Sequence, residues 1–196
     1  MTVKDSADPK QGRLIIVSGP SGAGKSSIIR RVLERRPELV YAISFTTRPK
    51  RGQERNGVDY HFVSEEIFRE KIDNGEFAEW ARVHGHFYGT SAEFIEANLS
   101  DGNDVVVDVD PRGAKRLLSK YGDAVSIFVS PPTMEALKDR LISRETESPE
   151  AIGRRLENAR VEMEQMNHYT HVIVNDDLET AVSGFLAILD EKDAHG

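Results

Sequence analysis

None of the 196 residues is cysteine, which excludes disulfides and thiolate metal sites and fits a reducing cytoplasm, the expected location. No apolar run approaches the ~18–20 residues of a membrane span, so no membrane partner is expected. The first twelve residues, Met1 to Gly12, are polar. They lack the apolar stretch of a secretory signal, and a flexible N-terminal tail is expected there. Basic residues are in short supply: 26 Lys and Arg stand against 33 Asp and Glu, a net charge of −7. That balance argues against nucleic-acid binding by the whole surface. Any anion must be bound by local basic clusters against the overall field. The length is enough for one α/β domain with a sizeable core and small insertions.

What the chain does have is a glycine-rich string, Gly19-Pro20-Ser21-Gly22-Ala23-Gly24-Lys25-Ser26, which fits G-x-x-x-x-G-K-[ST]. It follows the apolar run Leu14–Val17 and precedes a helical pattern (Ile28, Ile29, Val32, Leu33) that Pro37 stops. Strand, glycine loop and helix are the context that makes such a string a phosphate cradle rather than a plain turn. Gly19, Gly22 and Gly24 carry no Cβ and can adopt φ > 0, so successive N–H groups can converge on an anion. The helix N-terminus adds partial positive charge. Lys25 is expected to reach the β/γ-phosphates and Ser26 to ligate Mg²⁺. The candidate nucleotide-binding residues run from Gly19 through Ser26 and include Ser27.

Periodicity then alternates between strand and helix. Apolar runs at Leu14–Val17, Val105–Val109, Val125–Val129 and Val172–Val174 read as buried parallel strands, with Leu39–Phe45 a weaker fifth. Helical patterns cover Lys25–Arg36, Pro111–Lys120, Thr133–Ser143, Pro149–His168 and Leu178–Glu191. Repeated β-then-α units predict a parallel sheet of the P-loop type, with helices on both faces and ligands beyond the strands' carboxyl ends.

From Thr46 to about Thr90 the rhythm breaks into short alternating runs, Tyr60–Val63 and Phe77–Val83. These flank a predicted helix Glu65–Asp73 with Ser64 as N-cap and Gly75 just past its end. His84-Gly85-His86 reads as a tight turn. This stretch is expected to be a small mixed β insertion, with core segments 13–45 and 91–196 around it. It opens with Arg48, Lys50 and Arg51, three cations within four residues. A solvated charged loop is the plainer account of such a run. In an acidic chain that already has a phosphate loop, a second phosphate pocket explains it better. Two such pockets suggest transfer of a phosphoryl group between two phosphorylated ligands.

Together, Gly19–Ser26, Ser44–Arg48, Arg51, Asn56–Phe62, Glu76–Trp80, Tyr88–Thr90, Asp108–Asp110 and Val172–Asp176 resemble the guanylate kinases, in family order over nearly the whole chain. The resemblance implies a P-loop core, a GMP-binding insertion, a mobile helical lid near 140–156, and the reaction ATP + GMP ⇌ ADP + GDP with Mg²⁺, in purine nucleotide metabolism. It assigns Arg48, Arg51, Tyr60 and Tyr88 to the GMP phosphate, and Ser44, Glu79, Thr90 and Asp108 to the guanine side. Arg140, Arg144 and Arg155 match the lid and lid-hinge arginines, although Arg144–Pro149 is more acidic than expected. The implied partners are small molecules, ATP and GMP or its deoxy form dGMP. Nothing in the sequence selects between a monomer and a homo-oligomer.

The chemistry agrees with these assignments. Guanine presents N1–H and N2–H₂ donors that one carboxylate, Glu79, can accept together, whereas adenine presents a bare acceptor. Ser44 or Thr90 can donate to guanine O6. No histidine is needed as a base, because a phosphate monoester with a second pKa near ~6 is largely ionised at neutral pH. Asp108 and Asp110 end an apolar strand on one face, and Asp110 is expected to orient Mg²⁺-bound water. Its plainer role is a strand-end turn acid. Two other classes of protein make contrary demands. A non-catalytic guanylate-kinase-like phosphopeptide module predicts a decayed phosphate loop. A P-loop GTPase predicts an Asn-Lys-x-Asp motif, which Val174-Asn175-Asp176-Asp177 is not.

Overall fold

A computed structural model describes residues 11–83, 85–143 and 148–191. His84, Arg144 and Met1–Lys10 of the expected tail lie outside the described residues. Contacts divide the chain into two compact units. One comprises Met1–Ile15 and Glu38–Val107, the other Ile16–Pro37 and Asp108–Gly196.

Strands β1 (Leu14–Ser18), β2 (Val40–Tyr41), β7 (Val105–Asp108), β8 (Val125–Ser130) and β9 (His171–Val174) form one sheet in the order β2-β7-β1-β8-β9. β1 and β8 are buried throughout, as their predominantly apolar runs require of strands covered on both faces. The strand order turns back on itself beside β1, and the glycine loop follows that strand. Open α/β sheets bind ligands at such a point.

In the second unit, α1 (Lys25–Arg35) buries Ile28, Ile29 and Val32 and packs on α7 (Leu178–Asp190). Arg31 and Arg35 pair with Glu179, and Arg36 pairs with Asp190. Helices α5 (Met134–Ile142) and α6 (Pro149–Met163) pack through Leu137, Leu141 and Ala159. α4 (Pro111–Lys120) matches its predicted span. The predicted helix Pro149–His168 is shorter than expected. After Met163 the chain tightens into i→i−3 bonds, Gln165 N–H to Glu162 O and His168 N–H to Gln165 O, and a 3₁₀ turn at Met166–His168 leads to β9.

The first unit carries a second sheet, β4-β3-β6-β5, built from β3 (Phe45–Thr46), β4 (His61–Phe62), β5 (Phe77–Val83) and β6 (His86–Ser91). The expected strand Leu39–Phe45 is split. Its first half, β2, pairs with β7, the Ala42 N–H makes a last bond to Val106 O, and from Ser44 onward the chain pairs in the other sheet. Helix α2 (Glu65–Asp73) has the predicted ends: Ser64 accepts from Ile67 N–H, and Gly75 takes φ +69. Helix α3 (Ala92–Ser100), capped by Ser91, is an element additional to the predicted helices, and Ile95 and Leu99 form its buried i, i+4 face.

Phe68 of α2 anchors this unit. It is fully buried and stacks on Phe77 and Phe87, with centroids 4.5 and 5.4 Å away. Removing so large a buried ring leaves a cavity, so Phe68→Ala is expected to cost about 3–5 kcal/mol in urea unfolding. A loss under about 1 kcal/mol would be an ordinary surface effect and would deny Phe68 this anchoring role.

Candidate active site

Helix α1 begins differently from the others. Ser64, Ser91, Asp110, Thr133, Ser148 and Asp177 each cap a helix with a side-chain oxygen. Among the described residues, α1 is the α-helix whose N-cap, Gly24, offers no side chain and whose first turn has no acid. No side chain competes for the N–H groups at its head, the requirement for anion binding at a helix N-terminus. Gly19, Gly22 and Gly24 all take the positive φ their positions predict. At Gly24, φ is +98, and a Cβ would stand 2.1 Å from Asn175 Nδ2.

Lys25 curls back over the loop, donating to Gly19 O at 2.7 Å and Pro20 O at 3.4 Å. Its ammonium lies 3.9 Å from Asp108 Oδ1, and the Ser26 hydroxyl donates to Asp108 Oδ2 at 3.4 Å. The carboxylate beside the lysine and serine is therefore Asp108. Asp110 caps α4, its Oδ1 accepting from Gly113 N–H at 2.7 Å. Burial pushes the Asp108 carboxyl above its ordinary range, against the opposing pull of Lys25.

Two of the arginines expected in the lid reach the loop's frame. Arg155 donates to Ser21 Oγ at 2.5 Å. Arg140 donates to Asn175 O at 2.7 Å and Ala23 O at 3.4 Å. Asn175, given no role from sequence, is buried. It donates from Nδ2 to Ala23 O at 2.6 Å and from its backbone N–H to Ser130 O at 2.8 Å. A polar residue directly following an apolar strand was the available signal.

Of the second cluster, every residue but Asp108 belongs to the first unit; Asp108, expected on the guanine side, belongs to the second. Arg48, 6% exposed, makes a fork with Glu54, Nη1 to Oε2 at 3.0 Å and Nη2 to Oε1 at 2.8 Å. Its guanidinium lies 5.3 Å from the Tyr60 ring centre. Tyr60 and Tyr88 meet edge to face. Arg51 is exposed, and its backbone N–H donates to Glu54 at 2.8 Å. Glu79 is 5% exposed and accepts from the Thr90 hydroxyl at 2.9 Å. With the Thr90 proton so committed, Ser44, also buried, is the other hydroxyl of the predicted guanine set in this unit.

A glycine loop on an uncapped helix, with a lysine, a serine and a strand-end carboxylate around it, defines a P-loop nucleotide-binding protein. The guanylate kinase family model matches residues 11–192. The chain is 45% identical to a guanylate kinase of Thermotoga maritima over 91% of this chain and 86% of that one. It is 48% identical to one of Symbiobacterium thermophilum over 91% and 85%. The crystal structure of guanylate kinase from Anaplasma phagocytophilum superimposes with a TM-score of 0.79 at 32% identity, covering 93% of this chain and 87% of that one. A shikimate kinase from Bacteroides thetaiotaomicron, at 14% identity and TM-score 0.51, covering 91% and 98%, shares the fold alone. The chain belongs to the guanylate kinase family.

Asp108 provides a pH test. A carboxyl raised on folding contributes stability that is present below its unfolded value, 3.8 here, and lost as pH rises through the folded value. Asp108→Asn cannot ionise. Its melting temperature relative to the parent should rise between about pH 4 and about pH 8. The same difference at both ends would mean that Asp108 carries no folding-linked titration.

Proposed function

We propose that the protein transfers the γ-phosphoryl group of ATP to GMP, and that its two clusters hold the two nucleotides. The observation that carries this is the head of α1, open to an anion and equipped with Lys25, Ser26 and Asp108. The P–O bond between the β–γ bridging oxygen and the γ-phosphorus breaks, a GMP phosphate oxygen takes its place on that phosphorus, and ADP leaves. Since the acceptor oxygen is already largely ionised, catalysis is positioning and charge neutralisation. The loop's N–H groups and Lys25 bind the β- and γ-phosphates. Arg155 and Arg140 approach the same loop, and Arg144 completes the proposed lid set.

The donor atoms suit Mg²⁺, a hard cation that takes few carboxylates alongside phosphate oxygens and water. The Ser26 hydroxyl would ligate it, and Asp108 would orient its water, with Asp110 tied up as a cap. When bound there, the ion would supply charge neutralisation at the phosphates. On the acceptor side, Arg48, Arg51, Tyr60 and Tyr88 hold the phosphate of GMP, while Glu79, Thr90 and Ser44 read guanine. A non-catalytic phosphopeptide module is disfavoured, because it has no use for Lys25 and Ser26 beside an ionisable Asp108.

Lys25→Ala should keep the fold and lose kcat by orders of magnitude, with a smaller change in the KM for GMP, because the ammonium acts chiefly in the transition state. A coupled ADP-release assay measures both, and near-normal kcat in the folded variant would overturn the phosphate-loop assignment. Base choice rests on Glu79. Glu79→Gln replaces one acceptor by a donor, so GMP use should weaken strongly and discrimination against AMP, of the order of 10⁴–10⁵ for such sites, should shrink. Unchanged GMP/AMP selectivity would move guanine recognition away from β5.

A further inference from the structure

We propose that Glu54 is a positioning residue for the acceptor phosphate: its carboxylate locks Arg48 so that one edge of the guanidinium faces the ligand. This rests on the proposed role of Arg48 as a GMP-phosphate ligand. A guanidinium has five N–H donors in a fixed plane. Three are spent within the loop. Nη1 donates to Pro49 O at 2.8 Å and to Glu54 at 3.0 Å, and Nη2 donates once to Glu54 at 2.8 Å. The remaining two, Nε–H and the second hydrogen of Nη2, lie on one edge of the plane by the geometry of the group. That edge has the spacing for two parallel bonds to phosphate oxygens.

Glu54 is well held for the task. Its Oε2 also accepts from Arg51 N–H, and its own N–H donates to Arg51 O at 3.0 Å, closing a turn around both arginines. The arginine fork holds its carboxyl below the usual range, so it stays ionised wherever GMP is a substrate. Without that charge a guanidinium this buried would swing toward solvent or lose its plane of reference. A competitor role makes the opposite demand: if Glu54 merely occupied the arginine until GMP displaced it, removing the charge would tighten GMP binding.

The test measures kcat and both KM values for Arg48→Lys, Glu54→Gln and Glu54→Asp, alongside melting temperatures. Arg48→Lys keeps the charge and loses the fork. If it leaves the KM for GMP unchanged, the underlying reading of Arg48 fails, whatever Glu54 does. If it weakens GMP, Glu54→Gln is expected to raise the KM for GMP by about tenfold or more, the scale of a charge-assisted hydrogen bond. The fall in kcat should be smaller and the KM for ATP little altered. Glu54→Asp, its carboxylate withdrawn by one methylene, should lie between, and it gives the same split if Glu54→Gln does not fold. A lower or unchanged KM for GMP in the glutamate variants would overturn the proposal. So would equal losses in kcat and both KM values that track a drop in melting temperature.

Discussion

Backbone N–H groups can face an anion only if the carbonyls between them are turned away and satisfied elsewhere. Much of the second unit serves that constraint. Ala23 O is taken by Asn175 Nδ2 and by Arg140, and Gly19 O by the Lys25 ammonium. Asn175 can reach Ala23 only because Gly24 has no Cβ in the way. The asparagine is in turn fixed by Ser130 at the end of β8, and its own carbonyl holds Arg140. Residues distant in sequence thus set the polarity of an eight-residue loop, and an N-cap side chain at α1 would compete with the ligand for the same N–H groups.

The charge balance follows from a related constraint. Arginines that meet phosphate must persist in a protein of net charge −7, and Arg48 must do so while buried. An unpaired guanidinium taken out of water costs several kcal/mol. Arg51 stays exposed to water, and the other proposed phosphate arginines with a described position meet that cost locally. Arg48 has Glu54 and Pro49 O, Arg155 has Ser21, and Arg140 has two carbonyls. Glu54 therefore does not oppose phosphate binding; it is what allows a cation to be held at one orientation before the ligand arrives.

Local rules made the elements and the loop readable in the sequence. The glycine spacing, the Ser64 cap and the predominantly apolar strands each express a requirement confined to a few neighbouring residues. The missed features involve distant partners. Nothing near Asn175 reveals that its amide reaches residue 23, and nothing near Asp108 says that it, rather than Asp110, faces Ser26. Two carboxylates at i, i+2 carry the same local signal, and only the start of α4 decides that Asp110 is spent as a cap. The split of Leu39–Phe45 was likewise hidden, since an apolar run does not record which of two sheets supplies its partner.

The proposed guanine reader depends on an irregularity no periodicity could foretell. β5 and β6 pair with Phe77 opposite Ser91 and Glu79 opposite Thr90, with a register shift between the two pairs. In an unbroken antiparallel ladder Ala78 would stand opposite Thr90, and Glu79 would face Gly89 from the other side of the sheet, because a one-residue slip inverts every side chain. The extra residue brings Glu79 onto the face of Thr90, whose hydroxyl then holds one carboxylate oxygen at 2.9 Å. Bulges re-aim side chains in this way beside binding sites. On this account base selectivity needs the acid and the bulge together: a glutamate at position 79 on a regular strand would leave the guanine face to Ala78.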